Sequence, residues 1–224
     1  MIPTTLTHRV FSPYFDWRTF IALLSATFLL SACSSTPKKT PKEEFDSAAW
    51  QSHQHEISQI HSWYAGSKIA VLTPDQGFGG HLSWQQDHQR YELDFVGPMG
   101  VGFMQVHGDA TQTSLIIPDK PAYTGNSPEQ LLRIHTGYQL PVSQFYFWAR
   151  GIPNPTLPHN KKTNPSGTLK QLQQLGWNIE YSKYQRYQAL QLPSKIVMTK
   201  DTIKVKLVRL NWQAIRTESE STSP

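Results

Sequence analysis

With one cysteine in 224 residues, the chain can build neither a disulfide framework nor a multi-thiolate metal site. Charged residues are sparse at 17% while 38% are hydrophobic, which excludes a coiled coil and a wholly disordered chain. There is no G-x-S-x-G elbow, no P-loop and no H-E-x-x-H, so the commonest hydrolase and nucleotide signatures are missing. No long repeat, low-complexity block or internal domain boundary stands out. The 13 glycines and 16 prolines are scattered, the habit of a β-rich chain of short elements joined by turns.

What is present begins with an address. Arg9 and Arg18 precede the apolar run Phe20 to Leu30, a charged n-region and an h-region. The run is about half the roughly 20 residues a spanning helix needs. It ends in Leu30-Ser31-Ala32-Cys33, which resembles the lipobox of bacterial lipoproteins, and the one cysteine sits at the position that is lipidated. The resemblance implies a signal peptide over 1–32, an acylated Cys33, and, with Ser rather than Asp at position 34, an outer-membrane anchor with the protein facing the periplasm. Residues 33–44 read as a flexible tether, 45–216 as one domain and 217–224 as a disordered polar tail. Charge is uneven: residues 33–149 hold 7 Lys/Arg against 11 Asp/Glu, and 150–224 hold 12 against 4. The basic half fits a site for an acidic protein or for lipid headgroups, and equally plain solubility.

Phe45, Trp50, His53, Ile57, Ile60 and Tyr64 recur near helical spacing and predict an amphipathic helix of about five turns. Ser127-Pro128-Glu129-Gln130 opens a second helix that Gly137 stops, and Val142 to Ala149 forms a third, closed by Gly151 and Pro153. Strict alternation predicts strands at 91–95, 177–181 and 203–207. Weaker alternation adds 67–73, 81–85, 103–107, 113–117, 189–192 and 195–200, for about ten strands in all, and the last continues toward Trp212. After Leu207 the apolar phase switches to Val208, Leu210 and Trp212, which marks either a bulge or a strand covered on both faces. Residues 168–174 stay ambiguous, since Leu169, Leu172 and Leu175 have helical spacing but Gly176-Trp177 reads as a hairpin turn into a strand.

Few residues suggest chemistry. His53, His55 and His61 have offsets that keep them off one helical face, so a solvated helix outweighs a metal site. Glu92 and Asp94 share one face of a strand and read as its wet side. The turn Gly97-Pro98-Met99-Gly100 lies between two strand candidates and carries an apolar residue where a polar one is usual. Met99 therefore either contacts a partner or a membrane, or folds back on the core.

In order along the chain, the lipobox, Gly66 to Val71, Gly79 to Trp84, Gly97 to Gly100, Ser127 to Leu132, Leu140-Pro141-Val142, Trp148 to Pro153, Gly176 to Tyr181, Leu192-Pro193 and Lys204 to Trp212 resemble the LolB family, outer-membrane lipoproteins that receive other lipoproteins from the periplasmic carrier LolA. The resemblance implies an α+β, mainly β fold: an open, incomplete antiparallel β-barrel of about eleven strands covered by three helices, enclosing an apolar cavity that takes acyl chains. It makes 168–174 a strand. It also implies a receptor without cofactor or metal, whose partners are LolA, acylated cargo and outer-membrane lipids, and in which the Pro98-Met99-Gly100 loop enters the bilayer and holds the cavity mouth against it. Phe145, Tyr146, Trp148 and Trp177 are the expected cavity lining. Arg150, Lys161, Lys162, Lys183 and Arg186 are the expected carrier-docking residues. A membrane-anchored lipid-modifying or cell-wall hydrolase and a scaffold lipoprotein are the alternatives; the first needs a catalytic constellation and the second lacks an internal cavity.

Overall fold

The computed structural model describes residues 41–100 and 102–217. Cys33, the signal segment and all but Thr217 of the expected tail lie outside these residues. Helix α1 (Pro41–Ser58) leads into strands β1 (Ile60–Leu72), β2 (Gly77–Asp87) and β3 (Arg90–Val96). A single 3-10 turn, Pro98–Gly100, then connects to β4 (Met104–Gly108), β5 (Thr113–Ile116) and β6 (Tyr123–Gly125). Helices α2 (Pro128–Thr136) and α3 (Val142–Arg150) follow, and β7 (His159–Thr163), β8 (Leu169–Gln174), β9 (Trp177–Tyr187), β10 (Leu190–Lys200) and β11 (Ile203–Thr217) complete the chain. The strands form one antiparallel sheet in the order β6-β5-β4-β3-β2-β1-β11-β10-β9-β8-β7, unclosed between β6 and β7.

Three expectations need correction. The five-turn helix is cut short at Ser58, because from Ile60 onward the chain is β1, hydrogen-bonded to β2 on one side and β11 on the other. Ile60 suits either period, and pairing with two neighbouring strands wins over the helical one. The helix also starts at Pro41, inside the segment read as tether; proline suits a first helical turn. Finally, β6 and β7 carry no alternating pattern. They are the two edges of the sheet, β7 is exposed along nearly its whole length, and edge strands rich in Lys and His need no dry face.

The ambiguous leucines belong to a strand: Leu169, Leu172 and Gln174 are the buried positions of β8. The phase switch in β11 is a pair of bulges. Gly66 and Lys68 of β1 face Asn211 and Val208, so β11 has one extra residue there, with Arg209 in the left-handed region at φ 55°; a second shift near Ala214 repeats the device. Each bulge resets the inward face, from Val205 and Leu207 to Leu210 and Trp212 and then to Ile215.

Paired registers place one inward row across the sheet: Trp212, Ala65, Trp84, Leu93, Val106 and Leu115, from β11 to β5. The small Ala65 between two indoles leaves room for Trp63, whose ring meets Trp84 at 5.7 Å and Trp212 at 6.0 Å. Helices α2 and α3 cover this side. Their junction is fixed by Glu129, which accepts the Ser127 hydroxyl at 2.8 Å and the Ser143 backbone N–H at 2.7 Å, while Ser127 caps α2 by accepting from the Gln130 N–H.

Candidate functional site

Between β1–β3 and the helices lies a cavity of about 510 Å³, within the range of small-molecule sites. Its apolar wall includes Trp84 and Leu93 from the sheet and Val142, Tyr146 and Phe147 from α3. The next register row toward the sheet end, Trp63, Gln86, Tyr91 and Gly108, changes it from dry to polar. Gly108 is required here, because a Cβ would lie 2.9 Å from the Tyr91 hydroxyl, which shares a 2.7 Å hydrogen bond with Thr113. His61, Gln86, His88 and Gln89 make the polar rim.

The rim is tied down. Trp84 Nε1 donates to Gln86 Oε1 at 2.9 Å, Gln86 Nε2 donates to the His88 carbonyl at 2.7 Å, and the His61 and His88 rings pack at 4.2 Å, tilted by 32°. Hydrogen bonding from Ser62 and then His88 holds the Asp87 carboxyl below its usual range. Gln86 was the legible sign: it continues the inward phase of Leu82 and Trp84, so a polar group falls where the pattern calls for an apolar one.

Arg150 does not lie on the surface as a docking residue should. It is 2% exposed, because α3 carries it beneath the α1–β1 junction. Its Nη1 donates to the carbonyls of Ile60 at 2.7 Å and Ile57 at 3.3 Å, its Nε to that of Tyr146 at 3.0 Å, and its guanidinium lies 4.0 Å from the Tyr146 ring centre. Burial lowers its pKa to about 10, so it stays protonated at neutral pH. No described carboxylate pairs with it; backbone carbonyls and aromatic faces stabilise the charge instead. The other basic candidates are exposed: Lys161 and Lys162 on the edge strand β7, Lys183 and Arg186 on the outer half of β9. Lys161 Nζ sits 5.2 Å from the Trp50 ring centre.

Of the aromatics expected on the cavity wall, Tyr146 is there. Phe145, Trp148 and Trp177 do not line this cavity. They turn to the other side of α3, where Trp148 meets Trp177 at 6.2 Å and donates to Gln174 Oε1 at 2.8 Å. Helical geometry explains the split of Trp148 from Tyr146 and Phe147, because successive residues turn by about 100° around α3; Phe145 lies beside Trp148, three residues away. The wall residues Trp84, Leu93, Val142 and Phe147 were not singled out from sequence, because their apolar phases are those of any core. His53, His55 and His61 do not come together: His53 is buried between Trp50 and Tyr184, His55 is exposed on α1, and His61 is on β1. Glu92 and Asp94 are bridged on the outer face by Gln105 Nε2 at 2.7 and 2.8 Å.

Met99 is fully exposed, with a relative accessibility of 101%, and its backbone is left-handed at φ 58°. It does not fold back on the core. Nor does the tip border the rim of the cavity, because β3 runs from the rim turn at His88 and Gln89 to the tip. Its 7 residues separate the two by about 20 Å at the rise of a strand.

The model of one protein family, described as outer membrane lipoprotein LolB, matches residues 61–212. An outer-membrane lipoprotein LolB from Pseudomonas aeruginosa is 31% identical over 197 residues, covering 88% of this chain and 96% of its own length. That of Cellvibrio japonicus is 32% identical over 198 residues, covering 86% and 95%. Among solved structures, a LolA superfamily protein from Nitrosomonas europaea covers 78% of this chain and 97% of its own, at 9% identity and a TM-score of 0.47.

Proposed function

Since the chain belongs to the LolB family of outer-membrane lipoproteins, we propose that it accepts lipoproteins from a periplasmic LolA-type carrier by taking acyl chains into the cavity between β1–β3 and α3, and releases them into the outer membrane. The observation that carries this reading is the cavity itself, about 510 Å³ with a wall of Trp84, Leu93, Val142 and Phe147. Transfer needs no bond to break. An acyl chain passes from one dry environment to another, so the free-energy change of each step is the difference between two similar burials, and direction follows from affinity.

Cys33, acylated and faced to the periplasm, tethers the receptor, with lipid burial contributing ~0.8 kcal/mol per CH₂. Met99 enters the bilayer, where burial of a methionine contributes roughly 1.5 to 3 kcal/mol, enough to orient the domain but not to anchor it. Lys161, Lys162, Lys183 and Arg186 steer an acidic carrier surface toward the receptor. Pro98 and Gly100 frame Met99, the first fixing φ before it and the second adopting φ 79° after it.

The test is native mass spectrometry of a soluble Cys33→Ala form mixed with carrier loaded with one acylated lipoprotein. A receptor mass increased by one cargo, with the carrier emptied, is the expected result. Cargo that stays on the carrier while the receptor is folded by circular dichroism overturns the reading.

A further inference from the structure

The exposed large apolar side chains are not spread over the molecule. Among the described residues, apart from Tyr64, which donates to Ser83 on the outer sheet face, they are Leu72, Met99, Phe103, Ile134 and Leu175, and all lie at the end of the sheet away from the cavity rim. Register places them. Leu72 closes β1 opposite Gly77 of β2 and Lys204 of β11. The Met99 turn leaves β3 beside Gly80, where a Cβ would be 2.2 Å from the Val96 carbonyl oxygen, so the tip crosses close against β2. Leu175 is in the β8–β9 turn, its carbonyl accepting from Lys200 Nζ at the end of β10. Ile134 is in the last turn of α2, whose terminal Gly137 sits against Gln76 of the β1–β2 turn.

Two of these residues occupy costly positions. Met99 and Leu175 both stand at turn apices with positive φ, 58° and 53°, where Gly, Asn or Asp fit with less strain. The other positive-φ apices are polar, Asp119 and Asp201 at this same end and His88 and Gln188 at the rim end, so Met99 and Leu175 are the two apolar departures. The surroundings are also close to charge balance, with Asp75, Asp119 and Asp201 among Lys120, Arg133, Lys200 and Lys204. A surface that is apolar and nearly neutral suits the interface of a bilayer rather than a charged protein.

From this we infer that the whole end formed by the β1–β2, β3–β4 and β8–β9 turns with the end of α2 rests on the bilayer, and that the cavity rim is turned away from it, toward the periplasm. The inference rests on the reading of Met99 as a bilayer contact. Arg133 and Lys200 lie where their ammonium and guanidinium groups reach the headgroups while their stems remain apolar.

Introduced cysteines test it, because Cys33, the one native cysteine, takes no label once acylated. The lipidated protein carrying a nitroxide at 99, 134, 175 or 89 is reconstituted in phosphatidylcholine vesicles, and collision with oxygen is compared with collision with a water-soluble nickel chelate. Labels at 99, 134 and 175 are expected to favour oxygen, and the label at 89 the chelate, in both 0.1 M and 1 M salt. Immersion at 99 alone overturns the extended surface but keeps the single-residue contact. An aqueous label at 99 overturns both, an immersed label at 89 overturns the orientation, and immersion lost in 1 M salt overturns its apolar basis.

Discussion

The two ends of the sheet are built from the same strands and have opposite chemistry. At one end His61, Gln86, His88 and Gln89 surround a cavity, Gln86 is hydrogen-bonded to Trp84 and His88, the His61 and His88 rings pack together, and Arg150 binds α3 to the α1–β1 junction beneath them. At the other, Met99, fully exposed, and Leu175, about half exposed, stand at strained turns. The difference separates two tasks. A polar, hydrogen-bonded rim borders the apolar space, whereas an exposed apolar tip contributes little to folding and is free to contact another phase. Substitutions should therefore cost stability at the rim end and function at the tip end.

The largest expected effect is at the rim. Arg150→Ala leaves the Ile57 and Ile60 carbonyls without a donor and removes charge-assisted hydrogen bonds, so it should cost about 2 to 4 kcal/mol, read as a lower urea midpoint. A loss under about 0.5 kcal/mol, the range of ordinary surface changes, would show the clasp to be idle. Next, Val142→Trp places an indole in the cavity. Acceptance from the carrier should fall at least about tenfold, equivalent to ~1.4 kcal/mol, while the urea midpoint moves far less than for Arg150→Ala. Unchanged acceptance with the fold intact would move the acyl site elsewhere.

At the tip, Met99→Glu should leave stability within about 0.5 kcal/mol and leave acceptance normal, yet slow delivery to liposomes, since a carboxylate must be desolvated there. Met99→Leu should be tolerated. A two-stage assay that scores carrier-to-receptor and receptor-to-liposome transfer separately decides it, and failure at the first stage would contradict the division between the ends. The smallest effect is on pH. Burial, partly offset by Glu56, holds the His53 imidazole below its ordinary value, so the unfolded chain takes up the proton more readily. Stability should be flat above pH ~6.5 and fall as the pH drops below it. His53→Leu should flatten that slope in melts between pH 7.5 and 5.5, and an unaltered slope would assign it to other groups.

Much of this architecture was legible in the residues and some was not, for physical reasons. Ser127-Pro128 and Gly137 bound α2 because capping is local, and the strands at 91–95 and 177–181 showed themselves because one face is dry and the other wet. The edges β6 and β7 bury too little to leave a pattern, and α1 was over-extended because Ile60 fits both periods. Arg150 was assigned to the surface because charged side chains seldom enter a core, and only the tertiary packing of α3 supplies its carbonyl partners. That Met99 sits at an unusual apolar turn was readable, but the turn alone left open whether it projects or folds back on the core. That it projects from the end opposite the cavity rim depends on the direction of β3 and the position of α3, which no local pattern records.

The central claim is that an acyl chain occupies the space beside Trp84 and not the packed layer around Trp177. A lipopeptide whose acyl chain carries bromine, a contact quencher of indole emission, distinguishes them. Stoichiometric binding should quench the wild-type protein, lose most of that quenching in Trp84→Phe and keep it in Trp177→Phe. Full quenching in Trp84→Phe, or none in the wild type despite bound lipopeptide, would contradict the account.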